Sequence, residues 1–506
     1  MADGIMAENR IISNSLWGRL DIYATADEIT AENVVEEVNT ALPYHVQNLL
    51  QEDFLYWYTR GVQPILNRHK EIRDDILNIV QANIASEVVD FKNGVFITQP
   101  CTYTSRRKGV QSKVNKLNEY LYRSGKQEAD NKIADWFHRT GKGVLYVEPN
   151  DDNEVPFKAY SLDPRSAFVV KSLRPGNYPV MGINMVVVDG KAKFDVYTRE
   201  WVFHLSGGAT GRLISSQVNH DFLATAISLD SYERNALRRI PIIEYRYNSI
   251  NTAAFELAIS EIDEISNLYS NACDGVEQFI QSLAVATNCE FPDDTTANDI
   301  RKAGMIVLKS IGENKADFKI LSEQLDQSQT KVLIDGLYDE VLRVCAMPSR
   351  SNGGSTYDST GAAVLANFGW YQADAAVRNT VDLFKESNRE FDAIICDILR
   401  TKGLLDISPN DFELLFVHNE TANVQSKAQA FQTLMSAGLH PELAAAKSGI
   451  SNDPVKDMKM SEKYIEMIWG NPDKVVKSEQ TNGGDGEATI IESDNDNGEN
   501  AIGGAV

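Results

Sequence analysis

Residues 251–403 constrain this chain more than any other stretch. They read as a helix from Asn251 to Glu277, a short mixed segment and a second helix from Gln327 to Ala346. The loop Met347–Asp358 follows, rich in Gly, Ser and Pro, and then one helix of roughly 40 residues from Ser359 to Lys402. Helices in globular domains average about 10–14 residues. A helix three times that length needs neighbours along its whole extent, an unusual layout for an enzyme core.

At 100° per residue, Phe255, Ile259, Ile262, Ile265, Tyr269, Ala272 and Val276 fall on one face of the first helix. Glu256, Asp263, Asp274 and Glu277 fall on another. Taken alone, this is a surface helix with a solvated acidic side. The second helix carries Val332, Leu333, Leu337, Val341, Leu342 and Val344. Between the helices, the run Leu283–Ala286, a turn at Phe291–Asp294, a short helix at Thr295–Ala303 and strands at Met305–Leu308 and Phe318–Leu321 are too little material for a core of their own. Such a unit gains stability by pairing with copies of itself.

Before this stretch the chain reads as α+β. Leu49, Leu50, Phe54, Leu55, Trp57 and Tyr58 crowd one helix, which Gly61 and Pro64 break. Ile72, Ile76, Ile79, Val80, Ile84 and Val88 recur at three- and four-residue spacing, which predicts a second helix from Ile72; Phe91–Phe96 then reads as a turn. Helices over 113–123 and 128–140 precede Gly141-Lys142-Gly143. That triplet is a helix stop and not a phosphate loop, because Trp136 and Gly143 stand where glycine and Ser/Thr are required. From Val144 to Tyr247 the period becomes two, with runs separated by Asp-Asn, Pro-Gly and Asp-Gly turns, which predicts an antiparallel meander. After the long helix come a strand at Phe412–Val417 and helices at Val424–Ala437, Pro441–Ser448 and Asp457–Trp469. Beyond Lys477 the chain has seven acids and no Lys or Arg, a composition that predicts disorder.

The net charge of −23 argues against gripping nucleic acid through a basic groove. Five scattered cysteines without a C-x-x-C pair predict reduced thiols and no disulfide framework or zinc site. Neither a secretory signal at Met1–Arg10 nor an apolar run of membrane-spanning length is expected. The seven histidines form no H-E-x-x-H pattern, and the chain has no G-x-S-x-G. Asp406, Asp411 and Glu413 could be imagined as paired carboxylates, but acids at a strand edge are ordinarily only solvated. Asn352-Gly353-Gly354-Ser355-Thr356 resembles a nucleotide loop, yet no strand precedes it and no Lys follows at the required spacing. No catalytic, cofactor-binding or metal-binding residues are assigned.

The order of these pieces is similar to the portal proteins of tailed bacteriophages of the siphophage type. It runs Gly61, Pro64 and Ile65, a helix, Asp90-Phe91-Lys92-Asn93-Gly94, a Gly-ended helix and the strand Val144–Val147. Next come Ser161-Leu162-Asp163-Pro164-Arg165, paired strands, Ile240–Tyr245, and the two helices, loop and long helix already described. The likeness covers roughly residues 50–465. It implies an α+β, predominantly helical portal fold assembled as a ring, of twelve subunits in this family. The parts would be an N-terminal arm (1–30), a wing (31–250) and stem helices (251–277 and 326–346) enclosing a clip (278–325). A tunnel loop (347–358), a long spine helix (359–402), a crown (403–477) and an acidic tail (478–506) would complete the chain.

The resemblance implies a non-enzymatic channel at one capsid vertex that passes double-stranded DNA during packaging and ejection. It would have no cofactor, and a separate terminase large subunit would supply the energy. Expected partners are further copies of the chain, a head–tail adaptor, and the major capsid and scaffolding proteins, with assembly in the host cytoplasm. Arg350, Ser351, Asn352, Gly353, Gly354, Ser355 and Thr356 would face DNA. Glu256, Asp263, Asp274 and Glu277 would line the channel and repel phosphate. Phe291, Asp293, Asp294, Met305 and Val307 would lie on the docking surface of the clip. Other readings are a different virion component, such as an adaptor, or a cytosolic hydrolase.

Overall fold

The computed structural model describes residues 18–70, 75–97, 99–107, 109–188, 191–208, 227–280, 283–287, 289–290, 309–310, 317–321, 327–349, 369–416, 424–451 and five scattered positions from 457 to 464. The candidate loop residues Arg350–Thr356 lie outside them, as do Phe291, Asp293, Asp294, Met305 and Val307. Described residues form two compact units, 1–423 and 424–506.

The first unit opens with β1 (Ile22–Tyr23) and the long helix α1 (Val34–Thr59), followed by α2 (Ile84–Phe96) and β2 (Thr102–Ser105). Next are α3 (Gln111–Arg123), α4 (Lys126–Thr140), β3 (Lys142–Pro149), β4 (Phe157–Leu162) and β5 (Ala167–Lys171). The strands β6 (Pro179–Val188), β7 (Lys191–Tyr197), β8 (Trp201–Gly208) and β10 (Ile242–Arg246) follow as expected, with β9 (Ile227–Arg234) as a strand the sequence reading did not include. β5 to β9 form an antiparallel meander, which β1 extends in parallel at its β5 edge; β10, β3 and β4 form a separate three-stranded sheet. The larger sheet packs its apolar face, including Phe168, Ile183, Phe194 and Phe203, on Val34, Val38 and Leu42 of α1.

Then come α5 (Ile259–Ile280), β11 (Leu283–Thr287), β12 (Cys289–Glu290), β13 (Lys309–Ser310), β14 (Asp317–Leu321) and α6 (Gln327–Val344). β11 pairs antiparallel with β14 and β12 with β13, so the helix pair continues into two short ribbons. α7 (Trp370–Thr401) packs Val381, Phe384, Phe391 and Ile395 into a core shared with α4, β3 and β10. β15 (Phe412–Leu415) pairs with β2 and therefore belongs to the first unit, not to the helical C-terminal part where the sequence reading put it. The second unit contains α8 (Val424–Ser436) and α9 (Pro441–Ser448), with Gly449 at its C-terminal cap.

Three helix boundaries differ from expectation. Of the long helix expected from Ser359, Trp370–Thr401 is helical, Gly369 at φ +76° breaks helical geometry before it, and 359–368 lie outside the described residues. The first helix of the central stretch starts at Ile259, not Asn251; Asn251–Phe255 is a buried approach and Glu256–Ala258 a 3-10 turn. The helix predicted from Ile72 begins only at Ile84, while Phe91–Phe96 is helical rather than a turn. Residues 76–82 instead run along α5.

Candidate functional site

The feature that separates this chain from an ordinary α+β domain is the antiparallel pair α5 and α6. Ile262 and Ile265 of α5 meet Ile334, Val341 and Leu342 of α6 in one core with Val88 and Val89 of α2. A second stripe of α5 is polar and buried: Ser266, Ser270 and Asp274, at four-residue spacing. Asp274 Oδ1 accepts the backbone N–H of Asn78 at 2.7 Å. Ser270 Oγ accepts that of Val80 at 3.0 Å, and Ser266 Oγ that of Ala82 at 3.2 Å. Alternate amides of one segment thus meet every fourth side chain of a helix. The repeat lengths are close, about 6.0 Å for four helical residues and about 6.6 Å for two extended ones. Buried N–H groups must find acceptors, and these three find theirs on α5 instead of in a helix of their own.

The four acids expected to share one exposed stripe are therefore largely committed within the chain. Glu256 is fully buried and ion-paired to Arg19, and its Oε2 accepts the N–H of Ala253 at 2.6 Å. Burial pushes its carboxyl up to about 7, against the lowering effect of Arg19. It cannot line a channel. Asp274 is also enclosed: Arg68 lies 2.7 Å away with Lys70 beside it. Burial raises its carboxyl, but hydrogen bonds from Lys70, the Asn78 amide and Arg68 outweigh it and hold the group well below the carboxylate range. Asp263, half-buried, accepts a 2.8 Å hydrogen bond from Tyr58 Oη. Glu277, also half-buried, accepts one of 2.8 Å from Asn78 Nδ2. The exposed acid on α5 that takes no part in these contacts is Glu264, on the same stripe as exposed Ser260 and Asn271. Arg19 is the partner that the sequence reading missed, because residues 1–30 showed little pattern.

The junctions are also fixed by buried polar groups. Arg19 donates to Thr140 O at 3.0 Å and exchanges hydrogen bonds with Asn251, tying the N-terminal segment to the approach of α5. Lys92 Nζ, almost fully buried on α2, donates to Ala346 O at 3.1 Å and caps the end of α6. Burial brings its ammonium down to about 8. Lys142 and Lys171 alternate with Asp21 and Glu244 in a four-membered ion cluster.

The buried histidines and the strand-edge acids make contacts within the chain. His45 stacks on Phe168 with centroids 3.9 Å apart, its Nε2 3.0 Å from Arg165 O, and burial lowers it to about 4. His138 pairs with Asn93. Asp411 and Glu413 form surface ion pairs with Arg107 and Arg106. Among the described residues, Cys101, Cys273, Cys345 and Cys396 are free thiols, and no group of three or more His, Cys, Asp or Glu could hold a metal. No helix among them is long and apolar enough to cross a membrane.

The outer face of α6 carries apolar side chains that no described residue covers. Val332 is 71% exposed and Leu333 51%. Together with Ser328, Gln329, Gly336 and Leu337 they line an open groove of about 550 Å³.

Comparison with known proteins gives three results. Residues 45–468 match the family described as phage portal protein, SPP1 Gp6-like. No curated protein matches the chain. Among solved structures, a chain from "Neck of empty GTA particle computed with C6 symmetry" aligns at 12% identity and TM-score 0.43, covering 72% of this chain and 90% of that one. A chain from "Neck of native GTA particle computed with C12 symmetry" aligns at 11% identity and TM-score 0.39, covering 72% and 89%. The family match spans most of the sequence, from within α1 to beyond α9, so this chain belongs to the phage portal proteins of the SPP1 Gp6-like family.

Proposed function

We propose that copies of this chain form the portal ring at one capsid vertex, a channel through which double-stranded DNA is packaged and later ejected. The observation that carries the reading, alongside the family, is the uncovered apolar face of α6. The same helix pair buries Ile262, Ile265, Val341 and Leu342 nearly completely yet leaves Val332 and Leu333 exposed side by side, the kind of apolar patch that marks an interaction surface. A ring of copies covers it in a closed, head-to-tail arrangement.

In this reading 31–250 is the wing, α5 and α6 the stem, and the ribbons β11–β14 the clip, where terminase and then the adaptor dock. Phe291, Asp293, Asp294, Met305 and Val307 belong to that docking part. Arg350–Thr356 form the tunnel loop that faces DNA, and 424–477 form the crown. The channel-facing stripe of α5 is Ser260, Glu264, Asn267 and Asn271, in place of the four-acid stripe expected from sequence. One free carboxylate per copy, with a net charge of −23 on the chain, disfavours phosphate adhesion without trapping the strand.

Negative-stain imaging of the purified chain tests the ring: annuli with an axial hole are expected. Val332→Asp should shift the population to single chains, read by light scattering. A wild-type protein that stays monomeric at high concentration would overturn the reading.

A further inference from the structure

Residues 76–82 use one edge of their backbone on α5. The amides of Asn78, Val80 and Ala82 point to it, and the carbonyl of Val80 accepts from Ser270 at 3.3 Å. The alternate residues Leu77 and Ile79 face away, and their backbone groups find no partner among the described residues. Their side chains, 38% and 42% exposed, stand on one face of the segment. Val62 and Leu66 add exposed apolar surface in the turn that precedes it. The segment lies on the Ser266, Ser270, Asp274 stripe of α5, whereas α6 lies on the Ile262, Ile265 stripe. The two uncovered apolar surfaces, the α6 groove and the Leu77–Ile79 face, are therefore carried on different flanks of α5.

We infer that in the assembled ring the α6 groove of one copy seats over Leu77 and Ile79 of the next copy. This rests on the ring proposed above and adds which surfaces meet. A head-to-tail ring needs two different, mutually complementary patches on each copy, and these are two such patches within the stem region. Their repeats also fit. Leu77 and Ile79 are spaced by about 6.6 Å, and the groove between Val332–Leu333 and Gly336–Leu337 repeats at about 6.0 Å. Gly336 leaves room for a knob, since a Cβ there would meet nothing within 4 Å. Side chains of an extended segment stand perpendicular to its hydrogen-bonding edge. Covering Leu77 and Ile79 therefore leaves the open backbone groups in water and strands no buried donor.

The test is Ile79→Cys/Val332→Cys in the full chain, oxidised gently after purification and run without reductant. A ladder of covalent multimers that both single variants lack is expected, the singles controlling for native thiols such as the exposed Cys273. Rings in the images without a ladder in the double variant would overturn this pairing while leaving the channel reading intact. Wild-type protein that forms no rings overturns both. Should the cysteine pair disturb assembly, Val332→Asp is combined with Ile79→Lys. Rings restored by the pair but lost in Val332→Asp support the contact, and failure to restore them overturns it.

Discussion

Replacing Asp274 by alanine should release the segment 75–82 from α5 while leaving the rest of the first unit folded. Asp274 accepts the Asn78 amide at 2.7 Å and its Nδ2 at 3.0 Å, and pairs with Arg68 and Lys70, whose side chains are 12% and 26% exposed. Hydrogen bonds to a charged group contribute about 1.5–3 kcal/mol each when largely shielded. These bonds share one acceptor group, and the freed cations can reach water, so the sum is discounted to about 3 kcal/mol. Hydrogen exchange followed by mass spectrometry reads this directly. Peptides covering 76–83 should lose roughly two decades of protection, the equivalent of that energy at about 1.4 kcal/mol per decade, whereas peptides of β6–β8 should not change. Because the contacts are shielded, salt should weaken them little. The carboxyl is held below its ordinary 3.8, so its contribution is present above that value and fades only as pH falls through the lower folded value. The wild-type segment should therefore stay protected at pH 4. Unchanged exchange over 76–83 in the variant would refute the role given to Asp274.

Other outcomes follow from single buried groups. Glu52 is buried on α1, one carboxylate oxygen lacks a partner, and burial pushes it from 4.5 up to about 8. A raised carboxyl favours the fold fully below 4.5 and loses that advantage as pH climbs towards 8, at up to about 1.4 kcal/mol per pH unit. Glu52→Gln should match wild type in denaturant titrations near pH 5 and exceed it by up to about 4 kcal/mol near pH 8.5; equal midpoints at both would contradict the burial argument. Gly141 sits at φ +94°, and a Cβ there would lie 2.3 Å from Asn251 O. Gly141→Ala should cost about 3 kcal/mol or more, read as a lowered denaturation midpoint, and an unchanged midpoint would remove the close approach. Ser270→Ala, by comparison, removes one neutral acceptor and should cost about 1 kcal/mol, with the loss of exchange protection centred on Val80.

Much of the fold was legible because its signals are local. The strands β3–β8 and β10 stand between turn residues that punctuate them, whereas β9 carried no such signal, and the stop at Gly141 needed only a glycine after a helical run. The two helices of the pair followed from their apolar periodicity. What misled was periodicity without a partner. Ile76, Val80 and Ile84 mimic a helical stripe, but the acceptors that decide the backbone are Ser266 and Ser270, some 190 residues away. Glu256 looked like one of four equivalent acids because its counterion, Arg19, lies in a terminal segment with no periodic pattern. Charge on a helical wheel locates a side chain; it does not reveal whether a distant cation has already claimed it.

The register between α5 and the segment beside it works as a vernier. Two rulers of about 6.0 and 6.6 Å drift by about 0.6 Å per mark, yet all three contacts hold, at 3.2 Å on Ser266, 3.0 Å on Ser270 and 2.7 Å on Asp274. The last position uses the longer side chain, which spans the accumulated offset; a fourth would miss by nearly 2 Å. The contact is thus self-terminating, and lengthening either element would leave new amides without acceptors instead of extending the grip.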